Sequence, residues 1–139
     1  MKSVLVISHG LFAKGMVDTA KFIIGDSATQ LDYLCLEQGE SVEDYGARLD
    51  EKLKEIDQGD GVVILADLYG GTPFNQAGMR LNEKNDLIVG ANIPLLIDVL
   101  MRRLSDGPLD IDSIVSGGAA GVLNAKTAMA DMQFSEDDE

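Results

Sequence analysis

The sequence predicts an α/β protein with a doubly wound, mostly parallel sheet and helices on both of its faces. Short apolar runs rich in β-branched residues alternate four times with segments of helical spacing, which is typical of parallel strands joined by right-handed crossovers. The chain has 139 residues, of which 45% are hydrophobic, and this length suits one well-buried core rather than two ordinary domains. We therefore expect one domain over residues 1–130 and an acidic tail over residues 131–139.

The first strand runs from Ser3 to Ser8 and ends at His9-Gly10, because a short apolar run that stops at a turn is typical of a buried parallel strand. A helix follows and ends at Gly25, a natural helix stop. The apolar residues that recur in it at helical spacing are Leu11, Phe12, Met16, Ala20, Ile23 and Ile24.

The second strand is expected over Leu31 to Leu36. Ser41 is predicted to cap the following helix, with Asp44 three residues further on. The apolar stripe of this helix consists of Val42, Tyr45, Leu49, Leu53 and Ile56. Gly59-Asp60-Gly61 then closes the unit.

The third strand, Gly61 to Ala66, has the strongest pattern of a buried strand in the chain and ends at Asp67. Thr72 as the cap and Pro73 at the first helical position predict a helix that begins there. This helix is expected to run to about Asn82.

The fourth strand, Leu87 to Gly90, precedes Asn92-Ile93-Pro94 and another helix, whose stripe is Leu96, Val99, Leu100 and Leu104. Beyond Gly107 the pattern weakens. An irregular helix is expected over Asp110 to Asn124, because its glycines disfavour a regular helix. These glycines are Gly117, Gly118 and Gly121. An edge strand is expected after this segment.

The composition argues against several functions. The 24 acidic residues outnumber the 11 lysines and arginines, and a formal charge of -13 repels nucleic acids and anionic membrane surfaces. No apolar run is long enough for a bilayer span or a signal-peptide core, so we expect a cytoplasmic protein. The sole cysteine, Cys35, has apolar neighbours and is expected to pack in the core.

No metal or cofactor is expected. One histidine and one cysteine do not supply a zinc site of the usual type. The glycine patterns that bind dinucleotides or nucleoside triphosphates are also absent from the sequence.

Doubly wound proteins bind ligands beyond the carboxyl ends of their strands, at the point where the strand order reverses. His9 follows the first strand, Asp67 follows the third, and Asn92-Ile93-Pro94 follows the fourth. If the first and third strands are neighbours, His9 and Asp67 come within side-chain reach. A carboxylate that accepts the proton of one ring nitrogen leaves the other nitrogen free as a nucleophile.

The residues around this pair suit an anion such as a phosphoryl group. The helix that starts near Leu11 offers free backbone amides and a helix dipole. Thr72 adds a hydroxyl donor, and Gly70 and Gly71 let a phosphoryl group approach the backbone closely. Each feature also has a simpler interpretation, as a surface histidine, a turn cap or a helix start. Their combination at the predicted switch point favours phosphoryl chemistry.

Up to about Lys126, the chain resembles the IIA component of the mannose class of the bacterial sugar phosphotransferase system. Three motifs carry the resemblance: Ser8-His9-Gly10, Asp67-Leu68-Tyr69-Gly70-Gly71-Thr72-Pro73-Phe74-Asn75 and Gly90-Ala91-Asn92-Ile93-Pro94. The family form of the second motif is Asp, two variable residues, Gly-Gly, Ser or Thr, and Pro-Phe-Asn. The chain departs from it nowhere.

The resemblance implies that His9 accepts a phosphoryl group from the histidine-containing phosphocarrier protein (HPr) and passes it to a IIB component, which serves a membrane permease of IIC and IID subunits. Asp67 would hydrogen-bond the other ring nitrogen, and Thr72 would contact the phosphoryl group. The amides of Leu11 and Phe12 would lie beside it. The resemblance also implies a homodimer that exchanges an antiparallel edge strand.

Two other functions remain open. Similar domains with the same fold and histidine serve a dihydroxyacetone kinase or a transcription regulator, and a flavodoxin-like module that only binds a metabolite would perform no chemistry. The acidic ending, without an Ala/Pro-rich linker, favours a stand-alone IIA protein. The sugar is not readable from the sequence, because a IIA domain contacts only proteins and phosphate.

Overall fold

The computed structural model describes residues 1–105 and 107–132. Its centre is a sheet of four parallel strands in the order β2-β1-β3-β4. The strands are β1 (Ser3–His9), β2 (Leu31–Leu36), β3 (Val62–Ala66) and β4 (Asp86–Val89). The helices are α1 (Phe12–Ile24), α2 (Val42–Ile56), α3 (Gly71–Gly78), α4 (Ile93–Arg102), α5 (Ile111–Ala120) and α6 (Ala125–Asp131). The predicted α/β class is confirmed.

The strand order determines where a site can form. The chain starts at β1 inside the sheet, moves outward to β2 and then returns to β3 on the other side of β1. Ile7 of β1 is paired with Ala66 of β3. The chain segments that follow these two residues therefore leave the same edge of the sheet, at a topological switch point. His9 and Asp67 belong to those two segments.

Alternate residues of the strands pack against different helices, because successive side chains of a strand point to opposite faces of the sheet. Val4 and Val6 of β1 belong to the buried cluster that includes residues of α1, α4 and α5. Leu5 and Ile7 belong to the cluster that includes residues of α2 and α3. Helices thus cover both faces of the sheet, as the sequence predicts.

Polar side chains set the starting points of several helices. Ser41 caps α2 as predicted, since its hydroxyl accepts a hydrogen bond from the N–H of Asp44 at 3.1 Å. Asn92 caps α4 in the same way, with its Oδ1 atom 2.8 Å from the N–H of Leu95. These caps satisfy backbone donors that have no partner within the helix.

The antiparallel edge strand predicted near the C-terminus is not present among the described residues. α5 and α6 occupy this part of the chain instead. The side chains of Asp110 and Asn124 accept hydrogen bonds from N–H groups three residues further on, which starts a helix at each position. β4 therefore forms one edge of the described sheet.

The glycines of the predicted irregular segment serve close packing and do not break α5. A Cβ atom at Gly118 would lie 2.7 Å from the Cδ1 atom of Leu95 in α4, and one at Gly121 would lie 2.7 Å from the Cγ atom of Pro94. The small residues let α5 approach α4 more closely than larger side chains allow. α5 is consequently a regular helix from Ile111 to Ala120.

The amino-terminal edge of the sheet is closed by Arg103, the residue after α4, which is only 5% exposed. Its Nη1 atom donates to the carbonyl oxygens of Lys2 at 2.9 Å and Gln30 at 3.2 Å, and its Nη2 atom donates to that of Thr29. Burial lowers the pKa of Arg103 to about 10. This side chain therefore joins the starts of β1 and β2 to the end of α4.

Most of the acidic tail predicted over residues 131–139 lies outside the described residues. Asp131 is the last residue of α6. Across residues 1–105 and 107–132, no helix has both the length and the apolar character needed to cross a membrane.

Candidate functional site

Asp67 makes three hydrogen bonds at the carboxyl edge of the sheet. Its Oδ2 atom accepts the backbone N–H of His9 at 3.0 Å and lies 2.9 Å from the ring Nδ1 atom of the same residue. Its Oδ1 atom accepts the N–H of Leu68 at 2.9 Å. The Asp67 side chain is 13% exposed and that of His9 is 45% exposed. The carboxylate is thus held firmly while the imidazole reaches solvent.

This arrangement determines which ring nitrogen of His9 is available. A carboxylate only accepts hydrogen bonds, so the neutral imidazole carries its proton on Nδ1, facing Asp67. The lone pair of the ring then lies on Nε2. Nε2 is therefore the ring nitrogen that is free to bond a group outside the pair.

The amino end of α3 lies against that atom. A Cβ atom at Gly71 would be 2.9 Å from Cε1 and 3.0 Å from Nε2 of His9, so only glycine fits beside the ring. Gly70 and Gly71 have φ angles of 92° and 83°, which also favour glycine. The N–H groups in the first turn of a helix have no intrahelical partners and, with the helix dipole, favour an anion. An anionic group on Nε2 would lie beside this helix end.

The turn between β1 and α1 is fixed by Ser8, a residue to which the sequence analysis assigned no role of its own. The buried Ser8 hydroxyl accepts the N–H of Ala13 at 2.8 Å and donates to the carbonyl of Gly10 at 3.0 Å. The Gly10 N–H in turn donates to the carbonyl of Leu36 at 2.9 Å. The sequence signal for this role was Ser8 itself, a polar residue that directly follows the apolar run Val4 to Ile7.

Leu11 and Phe12 lie where α1 begins, close in sequence to His9. Leu11 precedes the helix without making a side-chain cap, and Phe12 is its first residue. Both side chains are exposed, as are those of Leu68 and Tyr69, which follow Asp67 in the sequence. An apolar surface thus borders the exposed imidazole.

Two expectations about neighbouring residues need correction. Thr72 is not the cap of α3, because Gly70 holds that position and Thr72 is already the second helical residue. The helix ends at Gly78 rather than near Asn82, whose Oδ1 atom accepts the N–H groups of Lys84 and Asn85 in a turn.

Asn92, the third polar feature predicted at this edge, is occupied elsewhere. Its Oδ1 atom caps α4, and its Nδ2 atom donates to the carbonyl of Gly118 in α5 at 3.2 Å. The structure therefore brings His9, Asp67 and Gly71 together, whereas the Asn92 side chain joins two helices.

Within residues 1–105 and 107–132, no group of three or more His, Cys, Asp or Glu side chains is arranged to hold a metal ion. Cys35 is a free thiol buried in the core cluster under α1.

The fold and the site together define a doubly wound α/β protein that presents a histidine–carboxylate pair beside a helix amino terminus. The family described as "PTS system fructose IIA component" (EIIA-man) matches residues 3–113. The chain therefore belongs to the mannose-class IIA family of the phosphotransferase system (PTS).

Individual relatives agree with this assignment. The "PTS system mannose-specific EIIAB component" of Escherichia coli K12 is 30% identical over 128 residues, which cover 89% of this chain and 39% of that protein. The chain thus spans well under half the length of that relative. The "PTS system fructose-specific EIIA component" of Bacillus subtilis is 30% identical over 105 residues, which cover 74% of this chain and 71% of that protein.

A solved structure is also similar. The PTS IIA protein associated with the fucose utilization operon of Streptococcus pneumoniae superposes with a TM-score of 0.81 at 30% identity. The match covers 92% of this chain and 96% of that one.

Proposed function

We propose that the protein carries a phosphoryl group on the Nε2 atom of His9, which it accepts from phosphorylated HPr and passes to a IIB component. The observation that carries this proposal is the 2.9 Å contact between Asp67 and the Nδ1 atom of His9. That contact leaves Nε2 of the half-exposed His9 side chain free and next to the amino end of α3. Family membership supports the same assignment.

In the accepting step, the Nε2 lone pair attacks the phosphorus atom on the phosphohistidine of HPr. A new N–P bond forms at Nε2 while the donor's N–P bond breaks, and its electron pair remains on the donor imidazole. The proton on Nδ1 of His9 stays in the hydrogen bond to Asp67. In the delivering step, a nucleophile of the IIB component attacks the same phosphorus atom, and the electron pair returns to Nε2.

Asp67 favours the accepting step because it stabilises the positive charge that develops on the imidazole as Nε2 forms a bond. The transferring phosphoryl group is anionic and lies beside the first turn of α3, with Gly71 and Thr72 as its nearest helical residues. Leu11 and Phe12, at the start of α1, border the other side. Binding at helix amino ends is a general way of holding phosphate.

The protein partners would dock on the exposed surface around His9. Leu11, Phe12 and Leu68 supply its apolar part, and each is at least 49% exposed. HPr and the IIB component would use this surface in turn, since both must reach the same nitrogen. The IIC and IID permease subunits would be served indirectly, and the exchange would take place in the cytoplasm.

The direct test is to incubate the protein with phosphoenolpyruvate, enzyme I and HPr. We expect an acid-labile, base-stable phosphohistidine in the wild-type protein and none in His9→Ala. The ³¹P NMR signal should be that of an Nε2-linked phosphoryl group. An unlabelled wild-type protein would refute the proposal, and an Nδ1-linked group would refute the assigned tautomer.

We further propose that the protein forms a homodimer. α6 has no buried residue, and apolar side chains are exposed in and beside α5 and α6: Val115, Val122, Leu123, Met129 and Met132. A second copy that covers them would remove this apolar area from water. Light scattering should give twice the monomer mass for the wild type and less for Leu123→Glu; a monomeric wild type would contradict the proposal.

A further inference from the structure

The helix that borders Nε2 needs support from outside itself. α3 has eight residues, of which only Pro73 and Ala77 are buried. Helices of this length are not stable on their own in water. The position of Gly71 relative to His9 therefore depends on what holds the other end of α3.

That other end is held by Arg80, two residues beyond the helix. Its Nη1 atom donates to the carbonyl oxygen of Gln76 at 2.8 Å and to the Oε1 atom of Gln76 at 3.0 Å. Its Nε and Nη2 atoms donate to the two carboxylate oxygens of Asp50 in α2 at 2.6 and 3.2 Å, and Nη2 also donates to the carbonyl of Gly46 at 3.1 Å. A guanidinium has five N–H donors, and all five are used here.

Gly46 leaves room for this contact. A Cβ atom at position 46 would lie 2.8 Å from the Gln76 Oε1 atom and 3.0 Å from the Arg80 Nη2 atom. Glycine is a poor helix former, and Gly46 lies within α2. Any larger residue at this position would make the ends of the Arg80 and Gln76 side chains shift.

α2 is a suitable anchor for the shorter helix. It has 15 residues, and its Tyr45 and Leu49 side chains are fully buried against the sheet. The hydrogen bond from Arg80 lowers the pKa of Asp50, so this carboxylate is ionised at neutral pH. The Arg80–Asp50 pair is a bidentate, charge-assisted interaction, which fixes the orientation of the guanidinium as well as its distance from α2.

We propose that Arg80, with Asp50 and Gly46, is a positioning device that fixes α3 on α2 so that Gly71 and Thr72 meet the phosphoryl group on His9. This proposal rests on the proposed function. Arg80 touches neither the imidazole nor the phosphoryl group, and it acts only through the placement of α3.

The experiment compares Arg80→Ala, Arg80→Lys and Asp50→Asn with Arg102→Ala. This control removes a half-buried arginine that joins Asp98 of α4 to Ser113 of α5. We expect phosphoryl transfer from phospho-HPr to fall by about tenfold in Arg80→Ala, because small displacements at a reacting centre slow transfer strongly. Arg80→Lys keeps the charge but not the fork, and Asp50→Asn keeps the shape but not the charge, so both should lie between the wild type and Arg80→Ala.

A second measurement separates positioning from loss of stability. Phosphorylation should shift the backbone amide NMR signals of Gly71 and Thr72, and this shift should be smaller in Arg80→Ala and Asp50→Asn than in Arg102→Ala. If Arg80→Ala does not fold, Arg80→Lys and Asp50→Asn decide the question by the same two measurements.

The outcomes distinguish this proposal from the proposed function. The positioning role alone would be overturned if the Arg80 and Asp50 variants transferred at the wild-type rate and their Gly71 and Thr72 amide signals shifted on phosphorylation as far as those of the wild type. A wild-type protein that takes no phosphoryl group would overturn both.

Discussion

The two ends of strand β1 lie beside basic side chains in contrasting surroundings. At the carboxyl end, His9 is 45% exposed and is paired with a carboxylate. At the amino end, Arg103 is 5% exposed and is bonded to backbone carbonyl oxygens. The first group can be reached by another protein, whereas the second is enclosed by this one. One strand thus connects the edge of the sheet that has an exposed imidazole with the edge that is closed by a buried guanidinium.

The surroundings of the two ends differ in the same sense. Near the carboxyl end, Gly71 leaves room beside the His9 ring, and the side chains of Leu11 and Leu68 are exposed. Near the amino end, the Ser3 hydroxyl donates to the Ile56 carbonyl at 2.5 Å, and the ammonium of Lys2 lies 3.1 Å from Asp86. Substitutions at the amino end should therefore change stability, and those at the carboxyl end should mainly change transfer.

The largest effect is expected at Arg103. Arg103→Met fills similar space but removes the donors to three carbonyl oxygens, so the free energy of unfolding should fall by about 3 kcal/mol. Arg102→Met, a neighbouring arginine whose side chain is 38% exposed, should cost roughly 1 kcal/mol or less. Urea denaturation measures both. The contrast between the two edges would be broken if both variants lost the same free energy of unfolding. It would also be broken if folded Arg103→Met transferred the phosphoryl group more slowly than the wild type.

Gly71→Ala should have the next largest effect, on transfer. The added methyl group meets the His9 ring at about 3 Å, and the backbone conformation disfavours alanine. Displacement of the ring or of α3 should reduce the transfer rate by about 100-fold. Gly78→Ala is the matched control, because a Cβ atom at Gly78 meets nothing within 4 Å. Similar rates for the two variants would show that the Gly71 contact is dispensable.

Asp67→Asn should keep the fold and slow transfer by about 10- to 100-fold, because an amide stabilises a charged imidazole less well than a carboxylate. Stopped-flow transfer from phospho-HPr is the measurement. Asp98→Asn, which changes a carboxylate on α4, serves as the control. An unchanged rate in Asp67→Asn would remove the carboxylate from the mechanism.

The smallest effect is expected at Tyr45, and it has the opposite sign. The Tyr45 hydroxyl is buried without a partner, and burial raises the pKa of the phenol. Tyr45→Phe removes that unsatisfied group and should raise the free energy of unfolding by about 1 kcal/mol. Tyr69→Phe, at an 82% exposed position, should leave it unchanged. A less stable Tyr45→Phe would mean that the hydroxyl makes a favourable interaction.

The sheet and most helices were predictable because local signals agree with the global arrangement. The apolar runs of β1 and β3 and the Ser41 cap of α2 are short-range features, and the switch point follows from the alternation of strands and helices. The placement of His9 beside Asp67 needed only the assumption that β1 and β3 are neighbours, which they are.

The features that the sequence did not reveal depend on contacts between distant segments. Arginine is usually a surface residue, so the sequence does not single out Arg80 or Arg103. Arg80 bonds to Asp50, 30 residues away, and Arg103 bonds to Gln30 and Lys2, 73 and 101 residues away. Gly118 resembles a helix breaker until the neighbouring Leu95 is seen. The start of α3 at Gly71 depends on backbone angles that only glycine adopts readily.

His9 is the one histidine of the sequence, and its two ring nitrogens face different surroundings. Nδ1 is bonded to a carboxylate, and Nε2 lies next to α3. The imidazole is therefore a built-in spectroscopic reporter: every histidine ring resonance of this protein belongs to the proposed site. Partner binding, protonation and phosphoryl transfer can each be followed there without an attached probe.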